Sequence, residues 1–404
     1  MLPYLLQERT QSAMRLADAL PLQAGPVPRT IVAIPARNEE DRIGRCLDAL
    51  RHQVGEGGAV LPARSFGVLL LLNNCTDRTR AAALRAWQGS HIPLHIAEIA
   101  LSGAAANAGY ARGLALDLAA LWQERGGRGD GVLLTSDADS RVASDWIARN
   151  LTAIAAGNAG VAGQIRLDDG EASSLSSALR ARGRIEDTYE RALLWFAGAI
   201  DPLPHDPWPN HRGASGASLA VRLDAYRRIG GLPLVASGED RALAQALTRL
   251  DLPVRHDCDI TVFTSARLAG RASGGTSDAL RLRTDDPDIP GDETLEALPT
   301  ALRRFRWRAR LRGWHARQGL ADEWWTQELG VPSDLAAVGD TRPFGALWAE
   351  VEAASPHLRA VALRPSQMAS QIRAARALRL RMAQRSARES AHCPGDSSTV
   401  SPAG

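Results

Sequence analysis

The 404-residue chain carries 48 basic residues, every one of them arginine. Without a lysine ammonium it has no Walker lysine, no kinase-type strand lysine and no Schiff-base lysine, so any phosphate must be gripped by arginine forks, backbone N–H groups or a metal ion. The net charge of +3 conceals an asymmetry, because residues 301–404 hold 16 Arg against 9 acidic residues, leaving 32 against 36 in residues 1–300.

With 45% hydrophobic residues the chain has enough apolar matter for a sizeable core. Cys46, Cys75, Cys258 and Cys393 lie far apart with no CxxC spacing, which suggests neither a zinc site nor a disulfide framework and fits a reducing compartment. The N-terminal stretch contains Glu8 and Asp18 and no long apolar segment, unlike a signal peptide. No run approaches the roughly 20 apolar residues of a membrane span. The expected location is the cytoplasm, with peripheral contact at the inner face of a membrane at most.

In chain order, a helix is predicted over residues 5–20, then Pro/Gly punctuation to Pro28. Residues 30–34 read as a buried strand, broken by Pro35-Ala36-Arg37-Asn38-Glu39, with Ile43, Leu47 and Leu50 marking the inner face of the helix that follows. A second strand–turn–helix unit has its strand at 66–72, its turn at Asn73-Asn74-Cys75-Thr76-Asp77 and its helix at 79–87. A strand at 91–99, a helix at 108–122 and a strand at 132–135 come next. Beyond Ile165 the pattern loosens into a helix at 173–197, a Pro-rich loop at 201–211, a helix opened by Gly238-Glu239-Asp240 and a strand at 254–263. An Arg/Trp-rich helix follows at 302–318. Strands alternating with helices imply an α/β fold whose mostly parallel sheet binds ligands beyond the carboxyl ends of its strands.

Asp137-Ala138-Asp139 directly follows an apolar strand. Two carboxylates spaced two apart at an extended end can face one side and suit a hard divalent ion, Mg²⁺ or Mn²⁺, although a solvated turn uses the same residues. Glu239 and Asp240 at a helix start read either as capping acids or as acid–base groups.

The ordered set Ile31–Glu39, Leu72–Thr79, Thr135–Ser140 and Gly238–Asp240, with Arg267 in a late Thr-Ser-Ala-Arg segment, resembles family-2 glycosyltransferases of the GT-A fold over residues 29–283. The resemblance implies a bacterial-type, metal-dependent enzyme that passes a sugar from a nucleoside diphosphate sugar to a hydroxyl acceptor with inversion. By position, Ala36, Arg37, Glu39, Asn73, Asn74, Asp77, Asp137 and Arg267 would hold the donor nucleotide, and Asp139 with Asp137 the Mn²⁺ or Mg²⁺. Asp240 would be the general base with Glu239 beside it, and Trp208 and His211 would border the acceptor. Asn73 replaces an aspartate common in relatives, and near Ala106 a basic residue is missing for which Arg112 offers a substitute. Arg271 suits a diphosphate clamp or a surface ion pair equally, His205 lies in the same acceptor-bordering loop as Trp208 and His211, and His256 fits an ordinary surface residue better than a late metal ligand.

The implied organisation is an N-terminal helix and linker at 1–28, a GT-A catalytic domain at 29–284, an Arg/Trp-rich helical extension at 285–385 and a disordered tail at 386–404. The alternatives are a sugar nucleotidyltransferase, which normally needs a Gly-rich loop and a lysine, and a catalytically degenerate sugar-nucleotide-binding protein. No nucleic-acid motif is present. The basic helices around 303–312 and 373–381 suit either packing on the acidic half or contact with an anionic membrane.

Overall fold

The structure, a computed structural model, describes all residues except 1, 23–24, 174, 266–275, 322, 340 and 392–404. In chain order its first half contains α1 (Leu2–Ala19), β1 (Thr30–Ala36), α2 (Ile43–Arg51), β2 (Phe66–Asn73), α3 (Thr79–Trp87), β3 (Leu94–Ile99), α4 (Ala108–Arg125), β4 (Val132–Thr135), β5 (Arg141–Val142), α5 (Trp146–Ala155) and β6 (Gly160–Leu167). There follow α6 (Asp169–Ala172), α7 (Ser177–Ile200), β7 (Leu219–Arg222), α8 (Leu223–Arg228), α9 (Glu239–Arg249) and β8 (Val254–Thr264). The C-terminal part is helical, with α10 (Thr276–Asp285), α11 (Leu298–His315), α12 (Trp324–Leu329), α13 (Asp334–Gly339), α14 (Phe344–Ala354) and α15 (Pro365–Ala391).

Eight strands form one sheet in the order β3-β2-β1-β4-β7-β6-β8-β5. The β1–β2, β2–β3, β1–β4 and β6–β8 pairs are parallel, while β7 runs antiparallel to both its neighbours and β5 to β8. Strand periodicity explains the double covering. Ile31, Ala33, Leu69 and Leu71 enter one core with α1 and α4, and the alternate residues Val32, Ile34, Leu70 and Leu72 enter the other with α2 and α3. α4 is buried nearly all round, which accounts for the apolar residues that flank Asp117 from Leu114 to Ala120. Its one inward carboxylate, Asp117, is satisfied by Arg9 of α1 (2.8 Å) and by the Tyr226 hydroxyl (2.7 Å).

The helices after β8 pack onto this body. Tyr189 and Leu193 of α7 share a core with Leu298, Leu302 and Phe305 of α11 and Met368 of α15. A second core joins Leu311, Trp325, Leu329, Phe344, Leu347 and Val351. α14 docks on α9: the Asp251 carboxylate accepts the N–H groups of Phe344 and Gly345, both at 2.7 Å, at the α14 N-terminus. The strand and helix expectations for residues 30–135 hold to within about three residues at most ends, and α3 and β4 have the expected bounds. α5, β6 and α12 to α14 were not foreseen, and α15 extends to Ala391. Among the described residues no helix is long and apolar enough to cross a membrane.

Candidate active site

The carboxyl ends of β1 and β2 open into loops that are laced to each other. The backbone N–H of Glu39 donates to the Thr79 hydroxyl at 2.8 Å, that of Glu40 to Asp77 at 3.1 Å, and that of Thr76 to the Asn38 side chain at 2.7 Å. Asp77 also accepts from the Thr79 N–H (3.0 Å) and hydroxyl (2.5 Å). Burial raises its carboxyl, but these donors together hold it below the ordinary aspartate range. Asn74, with φ of 52°, spends its whole amide on the backbone of Leu101, donating at 2.9 Å and accepting at 3.1 Å. Asp77 and Asn74 therefore shape the turn. Ala36 and Asn73 are buried at the ends of β1 and β2, Glu39 is 8% exposed, and Arg37 points outward.

The Asp137–Asp139 turn leaves β4 beside these loops, with both carboxylates half-buried. Cys46 of α2 donates to the Asp137 carbonyl at 3.5 Å. Burial first, then the charges of Asp139, Asp137 and Glu39, raise its thiol far above the ordinary range. Asp139 lines a crevice with Arg42, Arg45, Arg141, Asp168 and Ser265. Arg42 pairs with Glu171 at 2.8 Å and Arg45 with Asp168 at 3.0 Å. Sequence reasoning did not single out these arginines, because the acids that hold them lie more than a hundred positions away.

Arg112 of α4 joins the Asp137–Asp139 turn to α9. Its side chain is 7% exposed and donates to Asp137 (2.6 Å), Glu239 (3.2 Å), the Thr135 hydroxyl (3.0 Å) and the Gly216 carbonyl (2.9 Å). Only glycine fits at 216, since a Cβ there would lie 2.1 Å from the guanidinium carbon. Burial disfavours the charge of Arg112, but Asp137 and Glu239 outweigh it and raise the pKa, so the guanidinium is fixed as a cation. Its forks are filled by protein oxygens, which makes it a brace between the two carboxylate groups rather than a spare phosphate ligand.

Gly216 carries the brace onward. Its N–H donates to Asp240 at 3.0 Å, and the other Asp240 oxygen accepts from the Arg241 N–H at 2.7 Å. Burial pushes the Asp240 carboxyl above its ordinary range, Glu239 adds to this, and the N–H donors and Arg112 partly oppose it.

Trp208 is 46% exposed on the 201–211 loop. His211 is held by the Ala162 carbonyl (3.2 Å), and its ring meets that of His256 edge-on with centroids 5.6 Å apart. Burial, then the nearby His256, push the His211 pKa down to about 4, so it is neutral at neutral pH. His256 is engaged by Asp206 at 3.0 Å. His205 lines a groove with Pro207 and Asp257, away from the Asp139 crevice. Arg267 and Arg271 lie outside the described residues.

Residues 31–215 match the family model described as Glycosyl transferase family 2. Through this segment the chain resembles that family. The chain has the GT-A fold, as expected, with a helical C-terminal region. No curated protein matches its sequence significantly. Among solved structures it is similar to S. aureus TarS 1-349 in complex with UDP-GlcNAc, at 14% identity over 81% of this chain and 83% of that one, TM-score 0.43. It is also similar to the mannosyltransferase PcManGT from Pyrobaculum calidifontis in complex with GDP-Man and Mn²⁺, at 17% identity over 87% and 98%, TM-score 0.43. A third is M. tuberculosis glucosyl-3-phosphoglycerate synthase, at 16% identity over 71% and 88%, TM-score 0.36. The matched family segment stops before α9, so the glycosyltransferase model does not cover Glu239 and Asp240.

Proposed function

We propose that the protein transfers a sugar from a nucleoside diphosphate sugar to a hydroxyl acceptor, with inversion, using a divalent metal and Asp240 as general base. The observation that carries this reading is the brace at Arg112, through which one buried cation links the Asp-x-Asp turn to the α9 carboxylates. In this reading the laced loops after β1 and β2 receive the nucleoside, with Ala36, Arg37, Glu39 and Asn73 against it and Asn74 and Asp77 holding the turn. Asp137 lies toward the ribose, and Arg267 adds a guanidinium fork for the diphosphate.

The donor set suits a metal of the Mg²⁺ or Mn²⁺ type. Asp139 offers carboxylate oxygens at a crevice, and among the described residues no group of three or more His, Cys, Asp or Glu forms a closed cage. A hard ion of this kind takes one or two carboxylates and completes its shell with phosphate oxygens and water. Asp139, with Asp137 beside it, would hold that ion. Once bound it would neutralise charge on the departing diphosphate.

On the other side of the brace Asp240 takes the proton from the acceptor hydroxyl. The freed oxygen pair forms the bond to the anomeric carbon, and the bond from that carbon to the diphosphate oxygen breaks on the opposite face. The raised Asp240 pKa strengthens its basicity, while Gly216 and Arg241 fix its orientation. The acceptor is assigned to a cleft of about 1310 Å³, lined by Arg241, Arg212, His256, Asp292 and Trp348, which adjoins Asp240 through Arg241. Trp208 and His211 belong to the acceptor-side loop. Residues 29–284 thus act as the catalytic unit, and the extension at 285–385 forms the far wall of the cleft. Asp240→Asn is expected to keep donor binding and lose transfer by at least about a hundredfold, and transfer at the wild-type rate would refute the base assignment.

A further inference from the structure

α11 sorts its six arginines in a way that its sequence does not reveal. Arg304, Arg308 and Arg312 turn inward, Arg304 to Glu296 and Glu352 and the other two to Asp201. Arg303, Arg306 and Arg310 have no ion-pair partner among the described residues, and together they rim an open groove of about 610 Å³ between α11 and α15. The floor of that groove is apolar, made by Leu298, Leu302, Trp307 and Leu378. Arg310 also stands over the Trp307 ring at 5.4 Å. Trp307 in turn belongs to a cluster with Trp314 and Trp324, their ring centroids 5.3 to 6.5 Å apart, and Trp324 is 43% exposed. On the α15 side, Arg373, Arg376 and Arg381 are exposed and Leu380 is 65% exposed. Neither α11 nor the stretch of α15 up to Arg381 contains an acidic residue.

We infer that this face docks on an anionic phospholipid membrane, with lipid phosphates on Arg303, Arg306 and Arg310 and the upper acyl chain against the apolar floor. The groove chemistry favours a lipid over other polyanions. Arginine rims serve any phosphate, but a nucleic acid backbone has no use for a Leu/Trp floor, whereas an amphiphile satisfies both parts at once. Tryptophan rings with one wet edge are the side chains that settle at the headgroup level. The inference is independent of the donor chemistry, since none of these residues belongs to the proposed active site.

The test is flotation of the full chain with vesicles of pure phosphatidylcholine and with vesicles of equal parts phosphatidylcholine and phosphatidylglycerol. The protein should float with the anionic vesicles only. Arg303→Glu/Arg306→Glu/Arg310→Glu should weaken that partitioning by on the order of a hundredfold or more. Leu378→Ser, which changes no charge, should weaken it by about tenfold at unchanged circular dichroism. No flotation, flotation that survives the triple substitution, or binding that Leu378→Ser leaves unchanged would each overturn the proposal. The last outcome, joined with equal retention on a DNA duplex, would mark the face as a polyanion site instead.

Discussion

Arg112 answers to two carboxylates that belong to different halves of the proposed chemistry, and it has no solvent to replace them. Replacing it by methionine would leave Asp137 and Glu239 facing each other across a partly buried gap. The expected cost is about 3 kcal/mol of stability, read as a fall in the denaturant midpoint. Because the Arg112 charge holds the Asp240 carboxyl down, its loss should also move the acidic limb of the kcat profile to higher pH. In the wild type that limb should already lie above the ordinary aspartate range, since Asp240 must be ionised to accept a proton. A limb at or below that range would argue against Asp240. His211 gives a prediction of opposite sign. Its folded pKa of about 4 lies below the unfolded value near 6.5, so its contribution to stability is complete above pH 6.5 and is lost as pH falls toward 4. Thermal unfolding of His211→Asn between pH 7 and 4 should show a shallower loss, by on the order of 2 kcal/mol, than the wild type. Equal slopes would exclude His211 as the source.

At the scale of elements, α14 is tied to α9 by backbone contact as well as by the Asp251 cap. A Cβ at Gly345 would lie 1.8 Å from the Thr248 carbonyl oxygen. Gly345→Ala should therefore force α14 off α9, costing about 2 kcal/mol and several degrees of Tm, and it should disturb the wall of the proposed acceptor cleft before it touches donor binding. A Tm within a degree of wild type would show that α14 is not seated in this way. The elements that the sequence made legible are those with a single clear period. α3 and β4 were read to their ends because polar residues mark them, Asp77-Arg78 just before the start of α3, Gln88-Gly89 just after its end and Ser136-Asp137 just after the apolar run of β4. β6 was missed because Gly160, Gly163 and a register shift between Gly163 and Gln164 interrupt the alternation, and α12 and α13 because each spans only six residues. The site was legible where motifs are local, as at Asp137–Asp139 and Glu239–Asp240. It was not legible where a brace spans 127 positions, as from Arg112 to Glu239, because no pattern along the chain records which oxygens meet a guanidinium.

Over the whole molecule the arginine excess of the C-terminal part divides into two populations. Arg304, Arg308 and Arg312 neutralise Glu296, Glu352 and Asp201 and bind the helical extension to itself and to α7, so part of the excess is internal. Arg303, Arg306 and Arg310 instead face outward around an apolar groove between α11 and α15. The molecule thus presents a carboxylate-rich centre at the strand ends and a basic face on α11 and α15. A lysine-free chain can hold a donor diphosphate between a metal on Asp139 and guanidinium forks, which is the reading the site supports best. Isothermal titration of the full chain with nucleoside diphosphates tests it most directly, in Mn²⁺ and in chelator, on the wild type and on Asp139→Ala. At least one nucleoside diphosphate should bind the wild type only with Mn²⁺, and Asp139→Ala should weaken that binding by about tenfold or more. Absence of any nucleoside diphosphate binding, or equal binding by the wild type and Asp139→Ala, would contradict the account.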